Sequence, residues 1–260
     1  MKPLSTLSVF LIVFNEEKNI ERCLNSIKWV DEIVIVDSHS TDRTVEICRK
    51  YTDKIFSRTF SNYSTQKNFA LSHITGGWAL SLDADEELTE ALSCEIKTIL
   101  QSNPEYDGYR IHRTSYIFGR EFHFSGTQND KPIRLFKKGN GEFIQPIHEF
   151  VSLRGPVGKL KGEINHYTYK DIASYLSRLD RYTTMEAEFL AQKRSRVSVI
   201  DLLIRPFAMF LKLYVIRQGF RDGFQGFLFC FFSGWYAFVK YVKYLELLRH
   251  SQAREISTEK

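Results

Sequence analysis

Three short segments of this chain place polar side chains where chemistry can use them. Asp83-Ala84-Asp85 follows the apolar run Trp78–Leu82. Two carboxylates separated by one residue at a strand end can converge on one divalent cation, Mg²⁺ or Mn²⁺, which takes oxygen ligands and keeps places for water and phosphate. Such an ion neutralises a diphosphate leaving group as a Lewis acid. The same triplet also fits a solvated start to a helix over Glu86–Gln101. Asp37 closes a second apolar run, Glu32–Asp37, and can accept from a nucleobase N–H or a ribose hydroxyl, or simply hold a local turn. Ser40 and Asp42 fit helix-capping roles. Asn15-Glu16 follows a third run, Leu7–Val13.

The elements that position these residues follow from hydrophobic patterning. Continuous apolar runs of strand length at Leu7–Val13, Glu32–Asp37 and Trp78–Leu82, with a short one at Lys54–Phe56, read as strands buried on both faces. Helical spacing of Ile20, Cys23, Leu24 and Ile27, then of Val45, Ile47 and Cys48, predicts helices between them. Further helices are expected from Ser64 to Ile74 and over Thr89–Gln101. Alternating strand and helix predicts an α/β fold with a doubly wound, mostly parallel sheet. Ligands of such sheets bind at the carboxyl ends of the strands, where Asn15-Glu16, Asp37 and Asp83–Asp85 all fall. From Tyr106 to Tyr169 the pattern becomes an antiparallel extension, with strands expected at Tyr109–Ile117, Pro132–Phe136, Phe143–Val151 and Gly162–Tyr169. After Asp171 the chain reads as helical, over Asp171–Lys193, Ser198–Arg217 and Asp222–Arg249. The expected division is 1–104, 105–170, 171–250 and a polar tail, 251–260.

Taken in order, Leu11–Glu17, Val34–Asp42 and Leu82–Glu86 resemble the inverting family-2 glycosyltransferases and their GT-A nucleotide-sugar fold. The resemblance implies that Asn15, Glu16 and Asp37 surround the uridine of a UDP-sugar. It implies that Asp83 and Asp85 face the ribose, the metal and the diphosphate, and that Lys67 lies near the nucleotide. Ser38 stands where many members carry a second aspartate. A narrower resemblance, through Ile133–Gly139, Ile147-His148-Glu149 and Asn165–Tyr169, is to bacterial lipopolysaccharide core glycosyltransferases, closest to those adding β-1,4-linked glucose to the first inner-core heptose.

Inversion in one displacement needs a carboxylate base that reaches the acceptor hydroxyl. Glu149 is the candidate, since the resembling enzymes carry a His-Glu or Glu-Asp pair at this place; by its type alone it could be an exposed strand charge. Asp130, in the polar loop Gly126–Lys131, is the second candidate. His166 is a candidate further metal ligand or a structural hydrogen-bonding group, and Arg134 could contact a phosphate or pair with a neighbouring carboxylate. Two rivals share parts of the pattern. A polyprenyl-phosphate glycosyltransferase shares the donor half, and a sugar nucleotidyltransferase or non-catalytic nucleotide-sugar binder shares the sheet. A nucleotidyltransferase would need a glycine-rich phosphate loop, which Phe14–Lys18 lacks.

The composition, with 43% hydrophobic and 26% charged residues in 260, excludes disordered, collagen-like and coiled-coil chains. Four scattered cysteines exclude a zinc module or disulfide scaffold and fit a reducing compartment. The net charge of +5 is unevenly spread: residues 161–260 hold 16 basic and 10 acidic side chains, against 20 and 21 in residues 1–160. Gly223–Val239 is 17 residues without a charge, eight of them aromatic. As a helix it would reach roughly 25 Å, short of the ~30 Å hydrocarbon core. Basic residues at both ends, from Lys193 and Arg194 through Arg221 and beyond to Lys243, predict helices lying on an anionic membrane surface rather than crossing it or binding nucleic acid; the alternative is that the aromatic run packs on the sheet domain or in a dimer interface. The expected location is the cytoplasmic side of the inner membrane, beside a lipid-linked oligosaccharide acceptor.

Overall fold

The computed structural model describes residues 5–102, 104–146, 149–193, 197–198 and 200–258, with side chains as far as residue 249. Contacts divide the chain into two units, one running to Thr114 and resuming over Asn129–Tyr167, the other comprising Ser115–Gln128 and the chain from Thr168 onward.

The first unit is built on a mixed sheet. Its parallel part holds β1 (Leu7–Val13), β2 (Glu32–Asp37), β3 (Ile55–Ser57) and β4 (Trp78–Ser81) in the order β3-β2-β1-β4. The connections carry α1 (Ile20–Ser26), α2 (Thr44–Cys48) and α3 (Tyr63–Ser72). The sheet then continues from β4 through β8 (Ile133–Lys137), β6 (Gly108–Ile117) and β11 (Val157–Tyr169) to β5 (Glu86–Leu88), with β4 and β8, β8 and β6, and β11 and β5 antiparallel. This is the doubly wound sheet with its antiparallel extension, and the extension is as wide as the parallel part. Alternate residues of β1 explain the two layers. Leu7, Val9, Leu11 and Val13 face α1, α2 and α4 (Glu90–Leu100), while Phe10 faces α3 and Phe143. A strand buried on both faces must be apolar throughout, which is why the runs read so clearly in sequence.

Several local expectations are revised. Glu86–Leu88 is a strand rather than the first turn of a helix, because it pairs with Ile164–His166. The expected strand Phe143–Val151 is two, β9 (Gly141–Ile144) and β10 (Phe150–Leu153), forming a separate hairpin. Gln145 at φ 69 and Pro146, which has no N–H, end β9. Ile147 and His148 lie outside the described residues. Ser40 and Thr41 do not cap α2; Asp42 accepts from the Thr44 N–H instead.

At the amino end of β2, Glu32 accepts from Ser8, Lys54 and Thr75. Burial alone would raise its pKa, but these bonds win and lower it to about 2. A lowered folded pKa gives stability that is full above the unfolded value, near 4.5, and is lost as pH falls towards 2. Wild type is therefore expected to exceed Glu32→Gln by about 2–3 kcal/mol at pH 7 and by little at pH 2.5, as measured by denaturant unfolding. An equal difference at both pH values contradicts this reading.

In the second unit, α5 (Ile172–Gln192) starts at Asp171, whose carboxylate accepts from the Ser174 N–H. It packs along α7 (Gly223–Thr258), with Tyr175 on Phe232 at 5.1 Å between ring centroids and the Tyr236 hydroxyl on Glu186. The expected single helix Ser198–Arg217 is α6 (Arg205–Leu211) flanked by π-turns at Ile200–Ile204 and Lys212–Ile216. Pro206 sits in the first turn of α6, where its missing N–H costs nothing. The α7 helix continues across the polar tail to Thr258. Strand β7 (Arg120–Phe122) pairs with the Ser115–Ile117 end of β6. Arg194 and Arg196 lie outside the described residues. No helix among the described residues is long and apolar enough to cross a membrane.

Candidate active site

The predicted donor residues gather at the carboxyl end of the parallel strands. Past β1 the chain turns sharply at Asn15, whose φ of 53 is a left-handed conformation that asparagine tolerates well. Its N–H donates to Ser40 Oγ at 2.9 Å, and its Oδ1 accepts from the Thr41 N–H at 2.8 Å. Glu16 N–H donates to Thr44 Oγ1, and Glu17 N–H to Asp42. The polar run after β2 thus fastens the loop after β1. Asp37 is buried at the end of β2 and accepts from the Ser40 N–H. Gln66, buried on α3, donates to Ser38 Oγ and to the Arg58 carbonyl.

Past β4 lies a network of buried charge. Lys67 Nζ, on α3, sits 2.9 Å from Asp83 Oδ1 and 2.7 Å from Glu149 Oε1. Burial alone would lower the lysine pKa; Asp83 and Glu149 outweigh it and hold it above the ordinary value. Arg134 on β8 donates to Asp83 Oδ2 at 2.8 Å and to Glu86 at 2.5 Å. Burial pushes Asp83 up, but Arg134 and Lys67 hold its pKa well below the usual carboxylate range. Arg113 on β6 bonds Glu86 at 3.0 Å and Asp130 at 2.7 Å. Glu86 is fully buried and also accepts from the Asp83 N–H, which fixes the turn.

The nine residues singled out from sequence therefore fall into groups. Asn15 and Glu16 line the loop clamped by the polar run after Asp37. Asp83, Lys67 and Glu149 form one chain of contacts, and Asp130 joins it through Arg113. His166 Nε2 lies 3.6 Å from Asp85 Oδ1. Glu149 stands in the connection before β10, not within a strand. Sequence reasoning missed Glu86 and Arg113. Both sit among strand residues of mixed polarity, and only the sheet pairing brings them together.

Among the described residues no three of His, Cys, Asp and Glu are grouped as a metal cage. Asp83, Asp85 and His166 are the candidate metal ligands; both Asp83 oxygens face cations, and Asp85 and His166 lie 3.6 Å apart. Adjacent donors on one octahedral ion at bonds of about 2.1 Å lie about 3 Å apart, close to the pair's separation. Charge agrees: Asp83, Asp85, Glu86, Asp130 and Glu149 outnumber Lys67, Arg113 and Arg134 by two negative charges.

The family model described as glycosyl transferase family 2 matches residues 8–151, which run from within β1 to within β10 and include all these residues except His166. The chain belongs to glycosyl transferase family 2. A relative from Rhizobium meliloti, the lipopolysaccharide core biosynthesis glycosyltransferase LpsC, is 30% identical, the alignment covering 94% of this chain and 93% of the relative. An uncharacterised glycosyltransferase of Rickettsia typhi is 31% identical over 93% of this chain and 87% of its own. Among solved structures, the mannosyltransferase PcManGT from Pyrobaculum calidifontis, in complex with GDP-Man and Mn²⁺, has a TM-score of 0.52 at 16% identity, covering 93% of this chain and 87% of that one. S. aureus TarS 1–349 with UDP-GlcNAc has a TM-score of 0.50 at 16% identity, covering 86% and 79%. These likenesses bear out the GT-A fold that the motifs implied.

Proposed function

We propose that this family-2 glycosyltransferase moves a hexose, glucose, with inversion from a UDP-sugar to a heptose of a lipopolysaccharide inner core, at the cytoplasmic face of the inner membrane. In this reading residues 1–104 form the donor half and 105–170 the acceptor-side extension. The observation that carries it is the chain Asp83–Lys67–Glu149, which brings a carboxylate from beyond the nucleotide half within two hydrogen-bond lengths of the donor motif. The name of the R. meliloti relative supports the acceptor class, and the nucleotide-sugar complexes of the structural neighbours support the donor class.

Asn15, Glu16 and Asp37 would hold the nucleoside, with Asn15 and Glu16 kept in place by Ser40, Thr41 and Thr44. Asp85 and His166 would hold Mg²⁺ or Mn²⁺, which supplies Lewis-acid neutralisation of the diphosphate. Glu149 takes the proton of the acceptor hydroxyl as its oxygen bonds the anomeric carbon, while the bond to the diphosphate breaks on the opposite face and UDP leaves. Lys67 orients the Glu149 carboxylate through its 2.7 Å contact.

The test is transfer by purified protein from UDP-glucose, UDP-galactose, UDP-GlcNAc and GDP-mannose to a heptose-terminated inner-core acceptor and to a polyprenyl phosphate. The expected product is the β-glucoside of the heptose, formed from UDP-glucose and identified by its anomeric NMR coupling. Transfer to the polyprenyl phosphate alone, or an α-linked product, overturns the proposal.

A further inference from the structure

The helices of the second unit bury one side of a hairpin and leave the other bare. The segment from Ile200 to Ile216, with α6 at its centre, runs antiparallel to the first half of α7. Arg205 bonds the Tyr241 hydroxyl, Phe210 meets Phe227 edge-on, and Tyr214 meets Phe220. Gly234 lets the backbones approach, since a Cβ there would lie 2.8 Å from the Pro206 carbonyl oxygen. The hairpin is closely packed, so its outward apolar side chains are not the product of a loose fold.

Those side chains are large. Leu203, Phe207 and Ile216 are 63%, 63% and 72% exposed, and Phe220, Phe224 and Phe231 are 52%, 68% and 50% exposed. On α7 the exposed rings recur at 224, 227, 231 and 235, a helical stripe on one face.

The fold also sorts the charges. Between residues 200 and 245 the only acids are Asp201 and Asp222, and both are buried. Asp222 accepts from the N–H groups of His123 and Phe124 and from the Ser125 hydroxyl. Asp201 accepts from Ser198 and pairs with Arg205. Lys240 and Lys243 are matched to Glu186 and Asp180. Lys212 and Arg221 stay exposed and Arg217 half-exposed, with no salt bridge to a carboxylate among the described residues.

We propose that this hairpin face docks onto an anionic lipid bilayer, with both helices in the interfacial plane, their aromatic stripe in the headgroup–acyl boundary and Lys212, Arg217 and Arg221 against lipid phosphates. It rests on the membrane-side acceptor proposed above only for its purpose; the surface itself stands on exposure and charge. A second copy of the chain is a poorer occupant. A two-fold pairing would set Lys212, Arg217 and Arg221 against themselves, with no exposed acid between residues 200 and 245 to answer them.

The test uses the full chain, sedimented with vesicles of phosphatidylcholine containing about one-third phosphatidylglycerol, and with phosphatidylcholine alone. Lys212→Gln with Arg221→Gln is expected to weaken binding to the anionic vesicles about 30-fold at low salt, roughly fivefold per charge, and far less at high salt. Phe207→Ser with Phe224→Ser is expected to weaken binding to both vesicle types by roughly tenfold per ring, independent of salt. Both pairs are exposed, so both variants should unfold like wild type. Transfer to a detergent-dispersed acceptor should be unchanged in both; absence of transfer in wild type would count against the proposed reaction and not against this surface. The docking proposal is overturned if wild type ignores anionic vesicles, if either variant binds them as wild type does, or if wild type is a dimer that Phe224→Ser separates.

Discussion

Asp85→Asn is expected to lower sugar transfer by about 10³-fold or more while leaving the thermal midpoint within a few degrees of wild type. The substitution is nearly isosteric, and the backbone at this position is fixed independently, since the Asp85 carbonyl accepts from the Tyr167 N–H at 2.9 Å. What changes is the charged oxygen facing His166. A neutral amide is a much weaker ligand for Mg²⁺ or Mn²⁺ than a carboxylate, so the variant should also lose Mn²⁺ binding measured by titration calorimetry. Asp83→Asn makes the instructive contrast. Asp83 is bonded by Lys67 and Arg134, so neutralising it takes one of two carboxylate partners from each of these buried cations, which keep Glu149 and Glu86. Removing one charge from such a buried network weakens it, and Asp83→Asn should therefore lose stability as well as activity. If Asp85→Asn transfers sugar normally in excess chelator, Asp85 is not a metal ligand in this enzyme.

The contrast between these two aspartates marks the boundary of what the sequence makes legible. The strands were readable because burial on both faces demands unbroken apolar runs, as in Leu7–Val13 and Trp78–Ser81. Their carboxyl ends then pointed to Asn15, Asp37, Asp83 and Asp85 by topology alone. That Asp83 faces Lys67, Arg113 and Arg134 was not readable, because these cations are delivered by α3, β6 and β8. Glu86 was hidden for a related reason. Three residues of polar composition do not announce a strand, and their partner Ile164–His166 lies on β11, far along the chain. Ser40 looked like the punctuation of a helix start, yet its hydroxyl accepts from the loop after β1. Side-chain hydrogen bonds of Ser and Thr serve caps and loops equally well, so local sequence cannot choose between them.

Glu149→Gln is expected to reduce turnover by about 10²–10⁴-fold with donor binding preserved. Glutamine keeps the length of the side chain and an oxygen that can still accept from Lys67, but it cannot take a proton from the acceptor. Lys67 retains Asp83 at 2.9 Å, so its charge stays matched and the nucleotide half should hold its geometry. Binding of UDP, followed by calorimetry, should match wild type, which separates loss of the base from loss of the donor site. Lys67→Met supplies a second axis. It leaves both carboxylates in place but removes the cation between them, so it should impair donor binding and turnover together. A Glu149→Gln enzyme that turns over at the wild-type rate would move the base elsewhere. Asp130, held by Arg113 at 2.7 Å, is then the next carboxylate to substitute, and Asp130→Asn should carry the loss instead.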